Sequence, residues 1–194
     1  MATHSKTFLT PEQYLEIERK AEFKSEYYQG EMFLMSGARE PHNLIVWNLA
    51  AELHRQLRAK PCRAYMNDMR VRVSATGLYT YPDVAAVCGE PQFLDETRDT
   101  LLNPSVIVEV LSPSTEAYDR GRKFEYYCSV ESISEYLLVS SERVRAELFT
   151  RQPDGRWLMT AARMEDTLDL ESVGAHLALA ELYENVDLPA PPAA

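Results

Sequence analysis

Two runs of small and β-branched apolar residues stand out along this chain, Val84–Cys88 (VAAVC) and Val106–Leu111 (VIVEVL). Neither alternates apolar with polar as a half-solvated strand does, so both read as strands buried on two faces. From 41 to about 59, His42, Ile45, Val46, Leu49 and Leu53 recur at helical spacing instead and predict an amphipathic helix whose core-facing stripe begins with a histidine. Ahead of it, Thr10, Pro11 and Gln13 mark a helix start with a capping box. SEYYQGEMFLMSG then reads as a hairpin about Gln29-Gly30, with Tyr28 opposite Glu31, Glu26 opposite Phe33 and both glutamates on one face. After the long helix, YMNDMRVRV alternates as one strand and, past a Thr76-Gly77 turn, YTYPDVAAVC forms the second arm of a hairpin. A polar connector, 89–103, leads to SVIVEVL; SPST ends that strand and offers Ser114 or Thr115 as the cap of a helix running to about Cys128. Residues 134–140 predict another strand, RAELFT, RWLMTAAR and TLDL the strands of a meander, and 178–183 a short helix. The expected class is α/β, a mixed sheet flanked by helices, with an N-terminal helix and hairpin added.

A chain of 194 residues with no Pro/Gly/Ser-rich linker fits one domain, expected over 1–188 with 189–194 a disordered tail. No apolar run approaches the ~20 residues that span a bilayer, and MATHSKTFLT lacks the apolar segment of a signal peptide. Cys62, Cys88 and Cys128 are odd in number and widely spaced, which predicts neither a disulfide framework nor a zinc knuckle. The expected compartment is the cytoplasm. A net charge of −10 argues against indiscriminate affinity for phosphate backbones. The charge is uneven, however: 52–72 holds six basic residues against two acidic ones, and 151–188 three against eight. Either a local basic surface or merely a solvated helix face follows from that.

Two carboxylates interrupt the apolar runs, Asp83 ahead of the first and Glu109 inside the second. An unpaired ion buried in such a strand costs several kcal/mol, so a compensating cation is implied. Two such groups near each other invite a divalent metal. On its own, Asp83 reads equally well as a strand-end partner of Arg70 or Arg72. Glu109, between Val108 and Val110, has few structural uses, and a metal ligand is the stronger reading. His42 by itself has the ordinary fate of a lone histidine, a helix cap or a core position with one nitrogen satisfied by a carbonyl. Asp68, His4, His54 and His176 have no distinctive context.

The order helix, strand, strand, strand, helix, strand from 41 to 140, with YPDV on the second strand and VIVEV on the third, resembles the PD-(D/E)XK nuclease superfamily. Within it, SEYYQGE, PH, NDMRVRV, TGLYTYPDV, VIVEVLSPST and YDRGRKF are similar to the putative restriction endonuclease family of bacterial proteins, over about 10–188. The resemblance implies a restriction-endonuclease-like core, with Pro82-Asp83 as the PD of the motif and Glu109 as its second acidic residue. Leu111 stands where the pattern has a lysine, and the resemblance moves that role to Lys123 in the following helix. It also sets His42 near the site and prefers Glu26 over Glu31 as a further acidic member. Helical spacing puts Asp119 or Arg120, Lys123 and Tyr127 on one side. Without the resemblance, Asp119 and Lys123 read as a surface ion pair worth a few tenths of a kcal/mol.

The implied activity is metal-dependent endonucleolytic hydrolysis of phosphodiester bonds in nucleic acid, DNA foremost, with a homodimer among the assemblies to be tested. Asp83 and Glu109 would hold the metal, and oxygen ligands without a Cys/His cluster favour Mg²⁺ or Mn²⁺ over Zn²⁺. Lys123 would orient or deprotonate the attacking water, or stabilise developing charge. Two rivals stand beside this reading, a nuclease-fold binding or regulatory module without turnover and a phosphodiesterase for small nucleotides. No serine elbow, P-loop or dinucleotide fingerprint occurs.

Overall fold

The computed structural model describes residues 8–189; His4 and the tail from 190 onward lie outside the described residues. α1 (Pro11–Glu18) begins with a closed capping box: Gln13 N–H donates to Thr10 Oγ1, and Thr10 N–H donates to Gln13 Oε1. Tyr14 and Leu15 are buried, but Ile17 is exposed and Glu18 turns inward, accepting from Tyr81 OH and Ser25 N–H. β1 (Ser25–Tyr28) and β2 (Glu31–Leu34) pair in the expected register, Glu26 against Phe33 and Tyr28 against Glu31. Gln29 and Gly30 both take positive φ at the turn, the backbone that matches the twist of a two-residue hairpin. α2 (Glu40–Leu57) follows, burying Ile45, Val46, Leu49, Leu53 and Leu57.

The predicted long hairpin departs from expectation. YMNDMRVRV is two strands, β3 (Cys62–Met66) and β4 (Arg70–Val73), and the returning arm is also two, β5 (Leu78–Thr80) and β6 (Val84–Cys88). β4 pairs with β5 in one sheet and β3 with β6 in another. Met66 faces Val84 and Val71 faces Thr80, so the first arm carries one residue more than the second between these pairs. Such an extra residue bends a ladder as a bulge does. Pro82, without an N–H, sits in the break on the other arm. Asp83 therefore lies at the point where the chain crosses between sheets.

Next come β7 (Thr100–Leu101), inside the connector and parallel to β4, and β8 (Val106–Leu111), antiparallel to β6. The segment after β8 is not one uniform helix: α3 (Glu116–Tyr118) and α4 (Phe124–Cys128) flank a π-helical turn, Asp119–Lys123. β9 (Glu135–Ser140) lies parallel to β8, and β10 (Ala146–Arg151) and β11 (Trp157–Ala162) continue as an antiparallel meander. TLDL leaves that meander: β12 (Thr167–Leu170) pairs with β13 (Ala175–Ala178) in a separate two-stranded sheet. Its Leu168 and Leu170, with Leu179 and Leu182 of α5 (Leu179–Leu182), join the α2 core instead. The architecture is mixed α/β, with sheet orders β2-β1-β5-β4-β7 and β11-β10-β9-β8-β6-β3. In the six-stranded sheet Val84, Ala86, Val106, Val108 and Val110 belong to the core with α2, whereas Ala85, Val87, Ile107 and Leu111 belong to the opposite core with Tyr127 and Tyr136. The two non-alternating runs are thus buried on both faces.

Cys62 and Cys88 form a disulfide, which corrects the expectation drawn from cysteine number. The hairpin brings residues distant in sequence to paired positions of β3 and β6, a proximity that spacing along the chain does not reveal. Cysteine usage consequently gives no support to a reducing compartment. Among the described residues no helix is long and apolar enough to cross a membrane. Within the basic stretch 52–72, Arg55 pairs with Glu52, Lys60 donates to carbonyls of Val173 and Gly174, and Arg70 is buried on Asp99.

Candidate active site

The β6–β8 ladder pairs Val84 with Val108, and one step further the same register sets Asp83 opposite Glu109. Opposed positions of an antiparallel pair share a face, with Cβ atoms about 4.5–5.5 Å apart. Here the ladder ends, and Asp83 Oδ2 accepts the N–H of Val110 at 2.7 Å instead. The same oxygen lies 3.3 Å from His42 Nε2, in the first turn of α2. Arg70, considered above as a partner for Asp83, binds Asp99 at 2.9 Å. Arg72 lies over the Tyr79 ring. Neither supplies the structural pairing that would explain Asp83 away.

Lys123 reaches the same place from the helical segment. Its Nζ stands 2.8 Å from Glu109 Oε1, 3.5 Å from Glu26 Oε1 and 3.5 Å from Asp119 Oδ1. The pair with Asp119 is therefore no surface ion pair. Asp119, Lys123 and Tyr127 are all buried on the inner side of the segment, and the π-helical turn contains the first two, a local geometry that recurs at functional sites. Tyr127 OH donates to Glu109 Oε1 at 3.1 Å, and Tyr136 OH fixes the turn by donating to the carbonyl of Asp119 at 2.9 Å. Thr80 Oγ1 donates to Glu26 Oε1.

Charge is out of balance here. Glu26, Asp83, Glu109 and Asp119 surround one ammonium and one imidazole, and all six groups line a cleft of about 830 Å³. Burial pushes the Glu109 carboxyl well above the usual carboxylate range; Lys123 opposes that shift, while the negative charges of Asp119 and Asp83 add to it. Burial works against the charge on Lys123, but Glu109, Tyr127, Glu26 and Asp119 outweigh it and hold the ammonium protonated. Burial also raises Asp119, again with Lys123 opposing. The hydrogen bonds and the shortest ion-pair contacts at this site involve Oδ2 of Asp83 and Oε1 of Glu109. A hard cation fits this surplus of carboxylate oxygen. No three His, Cys, Asp or Glu side chains among the described residues stand as a ready metal cage.

The family profile described as Uma2, putative restriction endonuclease, matches residues 11–180. The chain belongs to the Uma2 family. Two uncharacterized proteins of Synechocystis sp. are similar to this Uma2 chain. One is 36% identical over 178 residues, covering 92% of the chain and 93% of the relative, and the other is 34% identical over 160 residues, covering 82% and 90%. A crystal structure of a putative nuclease belonging to DUF820, from Anabaena variabilis, superposes with a TM-score of 0.72 at 15% identity, over 91% of this chain and 98% of that one. At that identity the likeness speaks for the fold.

Of the residues singled out from sequence, Asp83, Glu109, Lys123, His42 and Glu26 meet in this cleft, and Glu31, on the same hairpin face as Glu26, does not line it. Asp68 lines the cleft mouth, in an ion pair with Lys24 at 2.8 Å. Sequence reasoning passed over Tyr127 and gave Asp119 only a surface role. The signal for both was the spacing of Asp119, Lys123 and Tyr127 at steps of four, which puts them on one helical side.

Proposed function

We propose that this Uma2 protein is an endonuclease that hydrolyses phosphodiester bonds of nucleic acid with the help of a divalent metal. The observation that carries the reading is Lys123 lying 2.8 Å from Glu109 beside Asp83, in a cleft with more carboxylates than cations. A fully buried carboxylate–lysine pair facing an open cleft is a poor stabilising device, since its desolvation cost rivals its attraction. It is an apt reaction site. Membership of a family described as putative restriction endonuclease supports nucleic acid as the substrate class.

Asp83 and Glu109 would hold Mg²⁺ or Mn²⁺, hard cations that take carboxylate oxygen. A divalent metal bound there would supply positive charge to a phosphoryl group and acidify water. The protein's own groups do the remaining work. Val110 N–H and His42 fix the Asp83 carboxylate. Tyr127 fixes Glu109. Lys123, kept charged by its carboxylates, presents an ammonium to the oxygen on which negative charge gathers.

The test is a cleavage screen of the purified protein on labelled single-stranded DNA, duplex DNA and RNA with Mg²⁺ or Mn²⁺. Wild type is expected to cut at least one of them, chelator to stop it, and Asp83→Asn and Glu109→Gln to lower the rate by at least 10²-fold, on the order of what loss of a charge-stabilising group costs. Scission that survives both substitutions would remove this site from the reaction.

A further inference from the structure

We infer that the strand entering this cleft is single-stranded polynucleotide, its bases stacked on Phe23 and Phe33 at the cleft mouth. The inference rests on the nuclease reading and goes beyond it in naming the form of the substrate. Glu109 and Lys123 are only 4% and 5% exposed, at the floor of a cleft whose volume lies in the ~300–1,000 Å³ range of small-ligand pockets. A base-paired helix is stiff, with a persistence length of ~150 bp, and a lone strand follows a recess of this size more readily.

The mouth is lined for such a strand. Phe23, in the segment between α1 and β1, is 63% exposed, and Phe33 on β2 is 49% exposed; both line the cleft, as does the exposed Leu34 beside them. Phe33 is directly opposite Glu26 in the β1–β2 ladder and shares its face, and Glu26 is 3.5 Å from Lys123. A base on the Phe33 ring is consequently held next to the carboxylate group. Exposed aromatic rings on the rim of a polar cleft mark a binding surface, and base–aromatic stacking tolerates any sequence because every base has a π-face. Arg39, exposed at the start of α2 and lining the same cleft, makes no ion pair among the described residues and is placed for a backbone phosphate. The net acidity of the walls makes electrostatic attraction weak, and stacking supplies the affinity.

Binding is measured by fluorescence anisotropy on hydrolysis-resistant phosphorothioate oligonucleotides, oligo-dT, oligo-rU and a blunt duplex, for wild type, Phe23→Ala, Phe33→Ala and Phe33→Trp. All three substitutions lie at exposed positions, and melting curves check that each variant folds. Single strands are expected to bind at least tenfold more tightly than the duplex. Each alanine should weaken them about tenfold, within the ~5–150-fold that losing one stacked base brings, and Phe33→Trp should retain binding. The dT and rU arms tell a DNA strand from an RNA strand. Equal affinity for duplex and single strand, or alanine variants equal to wild type, overturns the inference. Cleavage of unmodified strands by the same proteins separates the two claims. Phe-dependent binding without scission leaves this inference and sinks the nuclease, whereas scission indifferent to both phenylalanines does the reverse.

Discussion

Arg19, Arg70, Asp95 and Asp99 form one ion cluster, where the end of α1 meets β4 and the connector before β7; Lys123, Glu26, Glu109 and Asp119 form another beneath the cleft. The ingredients are alike, and the balance is not. In the first, two guanidiniums meet two carboxylates: Arg19 donates from Nε and Nη2 to both oxygens of Asp99 at 2.8 and 3.0 Å, and from Nη2 to Asp95 at 2.7 Å. Those bonds, with the charge of Arg70 added and burial opposing, hold the Asp99 carboxyl down to about 2. In the second, one ammonium serves three carboxylates, and burial pushes Glu109 and Asp119 up. A matched cluster favours its own ionised state and stabilises the fold. An unmatched one stores an electrostatic cost that a bound proton or a further cation relieves, and that imbalance distinguishes a site from a strut.

The sharpest way to break the contrast is to remove the single cation. Lys123→Met should cost about 3–5 kcal/mol of stability in urea unfolding, the usual penalty for stranding buried charge, and a divalent cation should recover part of it. A smaller effect is expected from the matched cluster. Asp99→Asn should cost about 2 kcal/mol near neutral pH, in proportion to the lowering of its carboxyl. The sign follows from a folded pKa below the unfolded one: the stabilisation is present above pH ~4, where the unfolded carboxylate is ionised, and is lost as pH falls through about 2. Wild type and Asp99→Asn should therefore converge in acid denaturation. Least of all, Tyr127→Phe removes one hydrogen bond to an oxygen that keeps its Lys123 partner, and about 1 kcal/mol should go. A loss as large as that of Lys123→Met would mean that the tyrosine, not the ammonium, holds Glu109.

Much of the scaffold was legible because local rules coincide with tertiary needs. The Thr10–Gln13 box, the Gln29-Gly30 turn and the stripe from Ile45 to Leu53 each satisfy a short-range requirement that the fold keeps. VAAVC and VIVEVL read as doubly buried strands, and the carboxylates beside and within them drew notice through the cost of burying charge. The switch of sheet at Asn67–Met69 and at Pro82 was not legible. Period-two alternation runs on through YMNDMRVRV whichever sheet a strand joins, and the one-residue excess shows only when the two arms are paired. The Cys62–Cys88 bridge and the departure of TLDL from the meander were hidden for the same reason: both depend on which strand is the neighbour. Asp119 was misread as a surface partner because periodicity reports faces, not depth.

The most direct test of the central claim, that the unmatched carboxylates exist to hold a divalent cation, is a calorimetric titration of Mn²⁺ into wild type, Asp83→Asn/Glu109→Gln and Asp99→Asn, with melting curves at each end point. Wild type and Asp99→Asn should each bind one Mn²⁺, and at about 100-fold excess over Kd the cation should add about 2.7 kcal/mol of stability. The double variant should show neither binding nor gain. Binding unchanged in the double variant, or absent from wild type, would contradict the account.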